Sequence, residues 1–278
     1  MNMPKLPVGE TIEGGIDFLV KHLSFITKAS AEVVETVLSA MEAGLLAIPI
    51  PGFIALTVAG IWLLTKKRNL CLGSMLGLAL IWNMGLWSAT ISTIALVVVA
   101  TLCAIAIGVP LGICAAISKR LYQTVMPILD VMQTMPAFVY LIPAIPFFGL
   151  GKTAAIFSTV IFSMPPAIRF TCLGIRQIPA DLVECSTAFG ATRMQRLFKL
   201  DLPLAAPTIM AGINQTVMLA LSMVVIASMI GAKGLGGEVW KAIQRLQMGR
   251  GFEAGIAIVI VAMILDRVLQ SLGSRKNQ

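Results

Sequence analysis

The sequence predicts an all-α membrane protein, a polytopic helical bundle, and three observations predict it. Of 278 residues, 58% are hydrophobic and only 12% are charged, where soluble domains carry about a quarter charged residues. Mean hydropathy is +0.91, and the apolar residues fall into runs of spanning length. A soluble fold could not hide that much apolar surface, so lipid is the solvent for most of the chain.

The N-terminal segment, residues 1–42, is different in character. It holds six acids (Glu10, Glu13, Asp17, Glu32, Glu35, Glu42) against Lys5, Lys21 and Lys28, a balance of −3; the remaining 18 bases and 7 acids give +11. Ile12, Ile16, Leu19, Leu23 and Ile26 recur at helical spacing opposite charged positions. This pattern fits a helix lying on the membrane surface or one packed on neighbouring spans. His22, the one histidine, reads as an interfacial polar residue. No basic start followed by an apolar core marks a cleavable signal peptide.

Spanning runs of roughly 20 apolar residues are expected near 43–65, 70–87, 88–117, 124–148, 153–175, 204–230 and 252–271, about seven in all. The segment 43–87 therefore supplies two additional helices ahead of a core over 88–271, and 272–278 is a tail. Lys66-Lys67-Arg68, Lys119-Arg120, the bases from Arg169 to Lys199, and Arg275-Lys276 follow alternate runs. By the positive-inside rule that side is the cytoplasm, the C-terminus is inside and the N-terminus outside. Lys233, Lys241, Arg245 and Arg250 dissent, and four clusters outvote them.

The same distribution excludes other classes. The bases punctuate hydrophobic runs instead of forming a patch, so no nucleic-acid partner is expected. Cys71, Cys103, Cys114, Cys172 and Cys185 show no C-x-x-C pair and imply neither a metal site nor a disulfide framework. One histidine cannot furnish H-E-x-x-H, and no G-x-x-x-x-G-K-[ST] phosphate loop is present. An ion-coupled carrier would need intramembrane ionisable groups; Asp130 and Asp266 lie closest to span interiors, both near an interface.

One polar island interrupts the hydrocarbon. "ECSTAFGATRMQRLFKLDLP", residues 184–203, places Glu184, Arg193, Gln195, Arg196, Lys199 and Asp201 between the fifth and sixth runs. Gly190 allows a turn between two short helices, and Pro203 suits a helix start. Composition alone leaves a docking helix and a solvated loop about even.

The spacing of Glu184, Gly190 and Leu200-Asp201-Leu202-Pro203 resembles the "EAA---G---------I-LP" loop of binding-protein-dependent ABC importer permeases. Cys185 and Ser186 stand for the two alanines and Leu200 for the isoleucine. The resemblance implies a type I ABC importer permease fold, a five-helix core with extra N-terminal helices, and a cytoplasmic coupling loop at 176–203 seated on an ATPase. On it, Glu184, Gly190, Leu202 and Pro203 carry the contact or its geometry; Arg193, Arg196 and Lys199 are added as bases able to pair with acids on that partner.

The stretches 130–151, 165–179 and 202–237 are similar to permeases for glycine betaine, proline betaine and related osmoprotectants. By this resemblance the chain is a non-enzymatic pore subunit in the bacterial cytoplasmic membrane. Its implied partners are a second copy of itself, two ATPase subunits holding ATP and Mg, and an external substrate-binding protein, since 278 residues leave no room for a fused one. No cofactor is expected in this chain. Cation–π attraction suits a quaternary ammonium, and the expected pathway residues are Gln133, Phe138, Tyr140, Asn214, Gln215, Ser222 and Ser228; interhelical hydrogen bonding and core packing explain each one equally well. Choline, carnitine or an amino acid is the competing cargo.

Overall fold

The computed structural model describes residues 8–274, and among them no strand occurs. The chain begins with α1 (Val8–Leu46), which runs unbroken through residue 42. Most of the described side chains in its first half are exposed, and His22 Nδ1 donates to the Phe18 carbonyl at 2.8 Å. The side chains of Ile12, Leu23 and Ile26 lie outside the described residues. The second half of α1 packs on the bundle through Leu38, Val34, Met41 and Leu45.

The runs at 43–65 and 70–87 become α2 (Ile50–Thr65) and α3 (Arg68–Asn83), each 16 residues, or about 24 Å. Each is shorter than a bilayer core. They form a hairpin, reversing at Lys66, whose left-handed φ of 53° ends α2. The end of α1 and α2 meet at 101°, with Pro49 and Pro51 at the bend. One bent pair therefore replaces the straight span expected at 43–65.

The core is built on α4 (Trp87–Ile117), α7 (Lys152–Arg176), α10 (Leu202–Ser228) and α12 (Met248–Ser274). Helix α7 is central, with α4 along one side and α10 along another. Small residues permit the close approach, as membrane helices require without a hydrophobic drive between them. A Cβ on Gly112 of α4 would sit 2.6 Å from the Ile168 carbonyl oxygen and 2.7 Å from Thr171 Cβ.

The expected span at 124–148 is also broken. It is divided into α5 (Lys119–Thr134), a 3₁₀ turn at 137–140 and α6 (Leu141–Phe148), bent by 113°. Pro136 causes the break: it lacks a donor, and it holds Met135 in extended conformation at ψ 135°. Among the described residues, three helices are individually long and apolar enough to cross a membrane, Trp87–Ile117, Lys152–Arg176 and Arg193–Ser228, and two bent pairs pass the same test.

Contacts group the connections at two ends. At one end Gly151 N–H donates to the Ile230 carbonyl at 2.8 Å. There too the backbone of Leu235, opening α11 (Leu235–Gln244), donates to Thr93 Oγ1 at 2.8 Å. Residues 85–93, 149–151 and 231–235 therefore lie together. At the other end Arg176 stacks over Tyr122, bringing the start of α5 to the end of α7, where the polar island begins. Residues 275–278, with the Arg275-Lys276 cluster, lie outside the described residues.

Candidate functional site

The polar island folds as an elbow. Three residues after α7, α8 (Ala180–Ala188) opens behind Pro179 and none of its residues is buried. It closes with paired bonds from Gly190 N–H to the Thr187 carbonyl (2.9 Å) and from Ala191 N–H to the Ser186 carbonyl (3.1 Å). That pattern places Gly190 at the left-handed position of a Schellman cap, and its φ is 76°. No atom lies within 4 Å of a Cβ added there. The glycine is required by backbone conformation alone.

The chain re-enters a helix at once. Thr192 Oγ1 accepts from Gln195 N–H at 3.3 Å, while Gln195 Oε1 accepts from Thr192 N–H at 2.9 Å, a reciprocal capping box. This starts α9 (Arg193–Arg196), which passes through a π-helical turn at 197–201 directly into α10. Pro203 thus stands inside one continuous helix, Arg193–Ser228, and does not open a new one as its position suggested. The reason is local. Pro203 offers no N–H to the Lys199 carbonyl, and the wider turn before it, with Leu202 N–H bonded to the Leu197 carbonyl, absorbs the mismatch.

An ion pair spans the π turn. Arg196 Nε donates to Asp201 Oδ2 at 3.2 Å, and Asp201 is only 4% exposed. Arg196 is therefore engaged within the chain, while Arg193 and Lys199 are exposed. Asp201, five residues after Arg196, joins the site residues expected from the sequence. Glu184 is exposed on α8, and Leu202 is half-buried beside exposed Pro203. Around these charges Phe189 is 88% exposed, and Met194, Phe198 and Leu182 are also exposed. Apolar side chains grouped on a polar projection mark an interaction surface.

The expected pathway residues are dispersed. Gln133 and Phe138 are exposed on either side of the Pro136 bend, and Gln215 and Ser222 are exposed on α10. Tyr140 is buried, its hydroxyl donating to the Met132 carbonyl and its ring edge-on to Phe162. Ser228 is buried and donates to the carbonyls of Val225 and Gly236. Asn214 Nδ2 donates to Asp266 Oδ1 at 2.9 Å, and Gln270 on α12 donates to the same carboxylate at 2.8 Å. The Asn214 bond ties α10 to α12, and Gln270 holds the carboxylate from within α12. Among the described residues, no cluster of histidine, cysteine and acids could hold a metal ion.

A polytopic bundle with one exposed elbow at its end has the form of the membrane component of a transport system, and comparison bears this out. Residues 108–277 match the family described as binding-protein-dependent transport system inner membrane component. The glycine betaine transport system permease protein OpuAB of Bacillus subtilis is 46% identical over 275 residues, covering 99% of this chain and 97% of that one. The glycine betaine/carnitine permease GbuB of Listeria monocytogenes is 46% identical over 277 residues, covering 99% and 98%. ProW of Escherichia coli, a glycine betaine/proline betaine permease, is 46% identical over 268 residues, covering 96% and 75%. Among solved structures, an inward-facing form of the MetNI methionine ABC transporter aligns with TM-score 0.59 at 26% identity, over 68% of this chain and 93% of that one. The chain belongs to the family of binding-protein-dependent transport system inner membrane components, and it has the type I ABC importer permease fold.

Proposed function

We propose that this permease subunit carries glycine betaine or a closely related compatible solute inward, driven by ATP hydrolysed on a separate subunit. Two copies form the pore, and each presents its 176–203 elbow to one ABC ATPase that holds ATP and Mg. An external substrate-binding protein delivers the solute. Closure of the ATPase pair draws the two elbows together, and the spans turn from inward- to outward-facing. The chain itself supplies no catalytic group and no cofactor site.

The observation that carries the substrate reading is 46% identity across nearly the whole chain to permeases named for glycine betaine. The elbow supports the coupling half, because its charges and exposed aromatics form a docking surface fused to α10 without a flexible joint. The clustering of residues 118–122 and 176–202 at one end supports a cytoplasmic side there, with the N-terminus outside and the C-terminus inside. Helix α11 stands at the opposite end, where Lys241 is neutralised by Glu238 at 2.8 Å. The membrane is the bacterial cytoplasmic membrane.

The test is uptake by proteoliposomes holding this chain, its ATPase and its binding protein. Labelled glycine betaine should accumulate only with ATP inside the nucleotide-accessible compartment, ahead of choline and proline. Uptake without any ATPase would sink the reading. Carnitine is the second candidate, because one of the full-length relatives is named for both solutes.

A further inference from the structure

The seam between α5 and α7 carries two contacts, one within α7 and one at the residue where the elbow begins. The Arg176 guanidinium sits 3.9 Å over the Tyr122 ring, and Arg169 Nη2 donates to Asp130 Oδ1. The contact residues are eight positions apart on α5 and seven apart on α7. The two helices therefore run antiparallel and in step for about 11 Å. Arg169 Nε is buried without a partner, so Asp130 is the counter-charge that this guanidinium depends on.

Helix α5 shows three faces. Leu129, Val125 and Met132 turn toward the bundle; Leu121, Ile128 and Val131 are exposed and, with Thr124 among them, make a largely apolar face; Lys119, Gln123, Asp130 and Gln133 form an exposed polar stripe. Two exposed faces of opposite polarity demand two environments. The apolar one suits lipid. The polar one does not: the Asp130 side chain is 64% exposed and that of Arg169 36%, and a charge turned to hydrocarbon is costly. The stripe therefore faces water or another polar protein surface, and not lipid.

Mechanical continuity links this stripe to the elbow. Helix α7 ends at Arg176, and α8 begins four residues later at Ala180. Both inter-helix contacts fall on the last quarter-to-third of α7, where a displacement of α8 would arrive first.

We propose that the Asp130–Arg169 pair, with the Arg176–Tyr122 contact beside it, is the clamp through which elbow movement passes along α7 to α5, whose polar stripe walls the solute route. This rests on the coupling role proposed above. Asp130 and Arg169 act as positioning residues, since they set where α5 stands. Uncharged variants leave α7 free to move without α5, so ATP hydrolysis continues while transport fails. A merely structural pair would lower both together.

The experiment uses the reconstituted complex and reads glycine betaine transported per ATP hydrolysed, alongside labelling by a charged, water-soluble thiol reagent in a background without native cysteines. Asp130→Asn and Arg169→Gln should each lower the transport ratio about tenfold, with hydrolysis little changed. Arg169→Lys should keep most of the ratio. Gln133→Cys should be labelled and Ile128→Cys should not. An unchanged ratio in both uncharged variants, an equal loss in Arg169→Lys, or labelling of Ile128→Cys alone overturns the clamp or its polar wall. If the parent complex takes up no betaine, the substrate reading falls instead, and the labelling pattern still decides the stripe.

Discussion

Arg196 and Asp201 hold the elbow to α10: the guanidinium Nε donates to the carboxylate across 3.2 Å, bridging the π turn that Pro203 imposes. The two ends of this pair are unequal in exposure, with the Arg196 side chain at 32% and that of Asp201 at 5%. That inequality makes the pair testable. Removing Arg196 strands a carboxylate that already has one oxygen buried without a partner, whereas removing Asp201 leaves a guanidinium that water can reach. Arg196→Ala should therefore destabilise the purified protein more than Asp201→Asn, by about 1–3 kcal/mol. Thermal unfolding in detergent measures both, and the reverse order would refute the account.

Gly190 separates backbone strain from crowding. Because φ is 76° and the surrounding space is open, substitution meets no atom of this chain. Gly190→Asn should be nearly neutral for folding, and Gly190→Val should cost about 1–2 kcal/mol from the left-handed conformation. If Gly190→Asn nevertheless abolishes uptake while the protein inserts and melts normally, the open space is filled by the ATPase in the assembled complex. Uptake and melting measured on the same two variants distinguish these cases.

Glu184 is exposed on α8, so Glu184→Lys should change stability by no more than about 0.5 kcal/mol. Its effect should fall on assembly: the ATPase should copurify poorly and uptake should drop at least about tenfold. Phe189→Ala should act in the same direction by removing the most exposed aromatic ring of the elbow. Normal copurification of the ATPase with both variants would place its docking surface elsewhere.

The parts legible in the sequence were those governed by composition or by residues close together. Apolar runs gave the helices of the core, and Gly190 gave the turn between two short helices in the elbow; the Thr192–Gln195 capping box beside it is equally local but was not read. Two kinds of feature escaped. Proline breaks were underestimated: hydropathy scores 124–148 as one span, although the missing donor at Pro136 divides it. Pairings distant in sequence also escaped, since Asp130 meets Arg169 and Asn214 meets Asp266 only once the helix register is set. Tyr140 and Ser228 read as pathway groups by chemistry, yet their hydroxyls satisfy carbonyls inside the bundle.

The α4–α7 interface should be intolerant of side chains at its closest point. A Cβ on Gly112 would lie 2.6 Å from a backbone oxygen, which cannot rotate away, so even Gly112→Ala must push the helices apart. Gly112→Leu should lower the yield of folded protein sharply. Gly112→Ala should cost about 1–3 kcal/mol as overpacking. Gly73 makes a control, since its added Cβ meets nothing within 4 Å; Gly73→Ala should not lower the melting temperature. Equal behaviour of the two alanine variants would contradict the close packing.

An ion pair fixes the N-terminal helix to the core. Lys152, the first residue of α7, pairs with Glu42 near the end of α1, and both side chains are mostly buried. The apolar contacts of Leu38 and its neighbours lie close to that pair, whereas most of the described side chains in the first half of α1 are exposed. Glu42→Gln should therefore leave the core helices intact but loosen α1, because a half-buried ammonium loses its counter-charge. Hydrogen exchange should rise over residues 30–46 and stay unchanged in α4 and α7. The charge-exchanged double variant Glu42→Lys with Lys152→Glu should restore most of the protection. Unchanged exchange in Glu42→Gln would mean that the apolar contacts alone hold α1 in place.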